Sequence, residues 1–185
     1  MIPKPARSIF RSSLPFLFFL VATCSNAEDG TWKFSNGTVA FSIRNAGITV
    51  KGTFGKLTAQ IQFNPDEPAN AKIEASVPVQ SIETGINLRN KHLKKPEYFD
   101  AAGFPEISLR LIRLEKDGTQ WKGNFDLTIK GVRKNLTLPV TFSSDGNSAR
   151  IASTFTINRL DFKVGESSWT MSDDVSVQLT ANLIP

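Results

Sequence analysis

DGTQWKGNFDLTIKGVRKNLTLPVTFSSDG, residues 117–146, alternates apolar and polar side chains almost without a break. Trp121, Gly123, Phe125, Leu127 and Ile129 take turns with Lys122, Asn124, Asp126 and Thr128; Leu136, Leu138, Val140 and Phe142 do the same with Thr137, Pro139 and Thr141. A period of two is the mark of a strand with one buried face, because successive side chains of an extended chain point to opposite sides. Asp117-Gly118 and Asp145-Gly146-Asn147 bound the stretch. Asp-Gly between alternating runs tolerates the positive φ angles of a tight hairpin turn, so neighbouring strands are expected to pair antiparallel.

The same alternation extends in both directions. Val39, Phe41 and Ile43 share a face, as do Leu57, Ala59, Ile61 and Phe63, and Ile73, Ala75, Val77 and Val79. Ile107-Leu109-Leu111, Ile151-Ser153-Phe155-Ile157 and Val175-Val177-Leu179 follow, and with Ile48-Val50 the chain holds about nine candidate strands. Asn45-Ala46-Gly47 and Asn64-Pro65-Asp66 supply further turn chemistry. Hairpins with one apolar face stack as a sandwich or close into a barrel, and alternation by itself leaves both open. About eight strands enclose an interior that side chains fill or that holds one small ligand.

The amino terminus reads differently. Lys4, Arg7 and Arg11 precede an apolar run from Leu14 to Val21 and then Ser25-Asn26-Ala27, the layout of a secretory signal peptide over residues 1–27. The run falls short of the roughly 20 apolar residues that span a bilayer, so a domain over residues 28–185 is expected to be exported, to the periplasm or an equivalent space. A lipid anchor on Cys24, which follows Leu20-Val21-Ala22-Thr23, is the alternative. Beyond residue 27, 19 basic residues face 17 acidic ones, a net charge of +2. A nucleic-acid footprint needs a strongly basic domain, so none is expected. That part of the chain has no cysteine and one histidine, His92. Thiolate chemistry is thereby excluded, and a metal site with several histidines as well.

Against the hairpin pattern, the 25 residues from Ser81 to Pro105 are an exception. Connections longer than about 12–15 residues in compact domains are mostly lids or binding loops. Ile82, Ile86, Leu88, Leu93, Tyr98, Phe99 and Phe104 give this one enough apolar surface to fold, as short helical turns packed on an open end of the β structure. Its residues also carry a resemblance. Ser81-Ile82-Glu83-Thr84-Gly85, Arg89-Asn90-Lys91-His92-Leu93, Tyr98-Phe99-Asp100 and Phe104-Pro105 resemble the signature of the YceI-like family of exported, lipocalin-like proteins. Gly52-Thr53-Phe54, Gly131-Val132-x-Lys134, Leu138-Pro139-Val140 and Asn158-Arg159-x-Asp161-Phe162 agree with it. The chain departs from the family form at Glu83 and Asn90, where Asp is usual, and at Lys163, where Gly is frequent.

The resemblance implies an all-β fold, an extended antiparallel lipocalin-like barrel with a short helical segment at one end. It further implies a polyisoprenoid or similar long amphiphile held inside. Phe41, Ile43, Phe54, Ile61, Phe63, Phe125, Leu127 and Phe142 are the candidate cavity residues, each equally readable as packed core. Leu88, Arg89, His92, Leu93, Tyr98 and Phe99 are the candidate rim. Arg89 is expected to pair with Glu83, Glu97 or Asp100, and Arg89, Lys91, Lys94 and Lys95 form a cluster suited to transient contact with a membrane surface. No catalytic residue, metal or cofactor is expected, and a homodimer stays open. There is no G-x-S-x-G elbow or P-loop, and Asp173-Asp174 on a strand would point to opposite faces. Two alternatives remain: a protein-interaction or stress-related barrel module without lipid, and a hydrolase or isomerase built on His92.

Overall fold

The computed structural model describes residues 32–118 and 120–185, so the expected leader and Cys24 lie outside the described residues. Ten strands follow one another: β1 (Lys33–Asn45), β2 (Ile48–Phe54), β3 (Thr58–Gln62), β4 (Lys72–Pro78), β5 (Ile82–Glu83), β6 (Glu106–Asp117), β7 (Gln120–Ile129), β8 (Val132–Ser144), β9 (Ala149–Asn158) and β10 (Met171–Ile184). The helix α1 (Asn87–Leu93) stands between β5 and β6. Nine of the strands are those marked by the alternation; the tenth is the two-residue β5, too short to show a period.

The strands form one antiparallel sheet in the order β3-β4-β6-β7-β8-β9-β10-β1-β2-β5. The sheet curls until β1 lies alongside β3. Gly37 permits that approach, since a Cβ there would stand 2.6 Å from Leu57 Cδ2 and would also strike the Thr180 carbonyl. The expected antiparallel barrel with a helical segment at one end is therefore the observed fold.

Hairpin turns give the barrel two unlike ends. Ala46 and Gly47 (φ 50° and 78°) join β1 to β2, and Lys130 and Gly131 (φ 48° and 73°) join β7 to β8. Both are two-residue turns with positive φ throughout, which matches the twist of the strands they connect. They lie at one end, with the β4–β6 connection that contains α1 and the β9–β10 connection. The opposite end is plugged. Phe63, 2% exposed, meets Trp121 at 5.7 Å and Phe142 at 4.9 Å between ring centroids, both edge to face, and Trp32 meets Phe142 at 6.4 Å.

Parity changes once on the way along β6. A bulge between Leu111 and Arg113 turns Leu114 inward while Ile112 is left 51% exposed. At the turn end, the β9–β10 connection is fastened by Arg159, which is 4% exposed. Its Nε donates to the Ser172 carbonyl at 3.0 Å, Nη1 to Val164 O at 2.9 Å, and Nη2 to Glu166 O at 2.7 Å and Asp173 Oδ1 at 2.8 Å. Gly165 N–H donates to Glu97 O at 2.9 Å and thereby joins the two connections that cover this end.

Candidate functional site: an apolar cavity at the turn end

Inside the barrel, between the aromatic plug and the covering connections, lies a cavity of about 180 Å³. Its wall is made of inward positions: Val39, Phe41 and Ile43 of β1, Val50 and Phe54 of β2, Leu127 and Ile129 of β7, Phe155 and Ile157 of β9, and Val175, Val177 and Leu179 of β10. The covering connections add Leu93, Tyr98, Phe99, Phe162 and Val164. Phe41 illustrates how local sequence shapes the wall. Its cross-strand partner is Gly52, and the ring lies flat in the room left there, so a Cβ on Gly52 would meet Phe41 Cε1 at 2.8 Å. From Phe41 an aromatic run continues to Phe54 at 5.5 Å and from Phe54 to Phe99 at 5.7 Å, linking the sheet to the covering segment.

Four residues bring polar side chains to the lining: Asn45, Thr84, Arg89 and Arg159; Ser76 and Ser108 border it from β4 and β6, but the Ser76 hydroxyl lies 3.0 Å from Thr58 Oγ1 on the outer face. Thr84 is buried, and both its N–H and its Oγ1 donate to Asn90 Oδ1, at 2.9 and 2.7 Å. Asn90, also buried, projects from α1, so this pair fixes the helix to the end of β5. Arg89 Nε donates to Thr84 Oγ1 at 2.7 Å and Nη2 donates to Thr84 O. The expected ion pair of Arg89 is absent among the described residues and is replaced by these bonds to Thr84. Glu83 has another use: it accepts from Gly85 N–H at 2.6 Å. The Asn90 side-chain amide, and then the Gly85 N–H, hold the Glu83 carboxyl below its ordinary range.

Of the residues singled out in the sequence, Phe41, Ile43, Phe54 and Leu127 lie on the cavity wall, with Arg89, Leu93, Tyr98 and Phe99 at its covered end. Ile61 and Phe125 lie deeper, around a separate void of about 30 Å³. Phe63 and Phe142 belong to the plug. Leu88 is 77% exposed, and His92 is exposed, its ring 5.0 Å from that of Tyr98. For the residues of the β structure the physical reason is position along the barrel, since only inward residues near the turn end meet the cavity; Leu88 and His92 stand on the exposed side of α1. Val39, Val50, Phe155, Ile157, Met171, Val175, Val177 and Leu179 were not singled out, although the same alternation marks most of them as inward. Combining that parity with distance from the Asn45-Ala46-Gly47 turn would have found them.

Among the described residues no three His, Asp or Glu side chains gather to hold a metal ion. No described helix is long and apolar enough to cross a membrane. What the residues build is a curled antiparallel barrel with an apolar cavity at its turn end, an architecture whose interior has room for one small guest.

The YceI-like domain model matches residues 32–183, and the chain belongs to that family. Protein YceI of Escherichia coli is 28% identical over 110 residues, which take in 59% of this chain and 58% of that protein. The matches thus span less than two thirds of such curated relatives. Burkholderia cenocepacia BcnA superposes with a TM-score of 0.75 at 24% identity, covering 79% of this chain and 95% of that one. A polyisoprenoid binding domain from Saccharophagus degradans, implicated in plant cell wall breakdown, superposes with a TM-score of 0.67 at 13% identity, over 83% and 97%. At those identities the two structures speak for the fold.

Proposed function

We propose that the protein is an exported carrier that holds a polyisoprenoid or similar long-chain amphiphile in the barrel cavity and does not convert it chemically. The observation that carries this reading is the lining itself, an almost wholly apolar interior whose few polar side chains are gathered at its covered turn end. An apolar void stays dry and takes an apolar guest; about 150 Å³ admits a benzene ring. The 180 Å³ seen here is room for one segment of a long chain. The remainder would be accommodated by outward displacement of wall residues such as Phe41, Phe155 and Val177, which are half-buried and so less closely packed than the core. The binding domain of the S. degradans protein shares the fold, which supports the same class of guest here. Export to the periplasm rests on the basic, apolar and small-residue order of residues 1–27.

His92 has no carboxylate partner among the described hydrogen bonds and lies outside the lining, so nothing supports a hydrolase or isomerase centred on it. Native mass spectrometry of the mature protein from its own cell envelope, followed by extraction, tests the proposal. A long-chain isoprenoid at about one per subunit is expected. A protein that is empty, and stays empty after incubation with polyprenyl lipids, overturns it.

A further inference from the structure

Large exposed apolar side chains are concentrated at one end of this barrel. Among the described residues seven are prominent, and five of them (Ile48, Ile86, Leu88, Phe104 and Trp169) stand at the turn end, leaving only Ile112 and Ile184 elsewhere. Trp169 is fully exposed, Leu88 is 77% exposed and Ile48 69%. Register brings them around the cavity. Ile48 is the cross-strand partner of Asn45, Asn45 is the partner of Met171, and Ala46 N–H donates to Thr170 O at 2.7 Å, so Trp169 follows the β1–β2 turn. β5 runs antiparallel to β2, which carries the chain through Ile86 to α1 on the same side. Asn45 and Met171 on one flank, and Thr84 and Arg89 on the other, line the cavity between these groups.

From this arrangement we propose that the turn end is a membrane-docking surface, with Ile48, Leu88 and Trp169 inserting among lipid headgroups so that the cavity opens onto the bilayer. The inference rests on the lipid-carrier reading for its purpose, though the docking itself is measurable without it. A tryptophan with no protein partner is the side chain best suited to the interface, where its ring is half solvated by lipid. Charge complements it: exposed Lys91 follows Leu88 one helical turn on, and exposed Lys95 stands in the turn that ends α1, both placed to reach phosphates while their stems lie on apolar surface. Exposed acids at the same end, Glu83, Glu97, Glu166 and Asp174, offset much of that charge. Insertion of apolar groups is therefore the main source of binding, and anionic lipid strengthens it only modestly.

The test is co-sedimentation of the full mature protein with phosphatidylethanolamine vesicles with and without phosphatidylglycerol, together with tryptophan emission. Wild type is expected to bind both, more tightly with the anionic lipid, and to shift its emission to the blue. Ile48→Ser with Trp169→Ser is expected to lower partitioning at least about tenfold, since two of the three inserted groups are removed. Both residues lie outside the cavity lining, so any guest in the purified variant is unchanged. Trp169→Ser alone abolishes the blue shift while leaving a folded barrel, because Trp169 makes no buried contact. No vesicle binding by wild type, or equal binding by the double variant, overturns the proposal. So does a blue shift without vesicles accompanied by a doubled mass, which assigns the surface to a second copy of the chain. Vesicle binding by a protein that carries no isoprenoid leaves docking standing and removes the carrier reading alone.

Discussion

Asn90 Oδ1 accepts from both the amide and the hydroxyl of Thr84, at 2.9 and 2.7 Å, so one side chain of α1 satisfies two buried donors of the segment that leaves β5. Thr84 Oγ1 in turn accepts from Arg89 Nε at 2.7 Å. The corner between sheet and helix is held by this chain of three residues. Asn90→Ala is expected to destabilise the protein by about 1–3 kcal/mol, the cost of leaving buried donors unpaired. It should also raise amide exchange in α1 above that of β7. Urea unfolding and hydrogen exchange check both; exchange in α1 as slow as in wild type would show that the helix is held by something else.

Arg159 has a similar office in the β9–β10 connection, with more at stake. Its guanidinium serves three carbonyl oxygens and Asp173, and all three carbonyls lose a partner if it is removed. Arg159→Ala is expected to cost about 3 kcal/mol or more, as for other buried charges with several hydrogen bonds. Asp173 is about one third exposed and can be solvated, so Asp173→Asn should cost well under half as much. Denaturation midpoints of the two variants settle the order.

How legible was this in the chain? Alternation placed nine strands, because along most of their length successive side chains go to a more buried and a less buried face, as they do from Trp121 to Ile129. The Lys130-Gly131 turn was not marked, since a lysine at the first positive-φ position carries none of the Asn or Asp signal that such turns usually show. β5 was hidden by its two residues. Cavity and plug could not be told apart because both use the same inward face: Leu127 faces the void and Phe125, two residues away on the same strand, faces the deeper packing. Arg89 was expected to meet a carboxylate, but the chain folds it back onto Thr84, a contact set by the corner between β5 and α1 and not by charge.

The plug and the cavity should respond differently to mutation. Phe63→Ala removes a ring that is 2% exposed and packed against Trp121 and Phe142, and is expected to cost about 3–5 kcal/mol while leaving any bound lipid in place. Val177→Trp, on the cavity wall, is expected to do the reverse: a small change in thermal midpoint, with copurified lipid lost because the added ring occupies the void. Mass spectra and melting curves of the two variants give the comparison. Lipid lost from the first and kept by the second would move the guest to the far end of the barrel.

Acid should weaken the fold through identifiable carboxylates. Asp126 is held below its ordinary range first by the Asn135 side chain, Asp145 first by the Ser148 amide, Asp117 by Lys122 and Glu83 first by the Asn90 side chain. Each binds a proton less readily folded than unfolded, so its contribution is present above the ordinary carboxylate range and is lost as pH falls through the lowered folded value. The urea midpoint is therefore expected to be flat near neutrality and to decline below about pH 5. Asp145 accepts from Asn147 N, Ser148 N and the Ser148 hydroxyl at 3.0, 2.7 and 3.2 Å, and so braces the β8–β9 turn. Asp145→Asn keeps an acceptor but no titrating group, and should lower the midpoint at neutral pH while making the acid decline shallower. An unchanged acid limb in that variant would place the proton uptake on the other carboxylates.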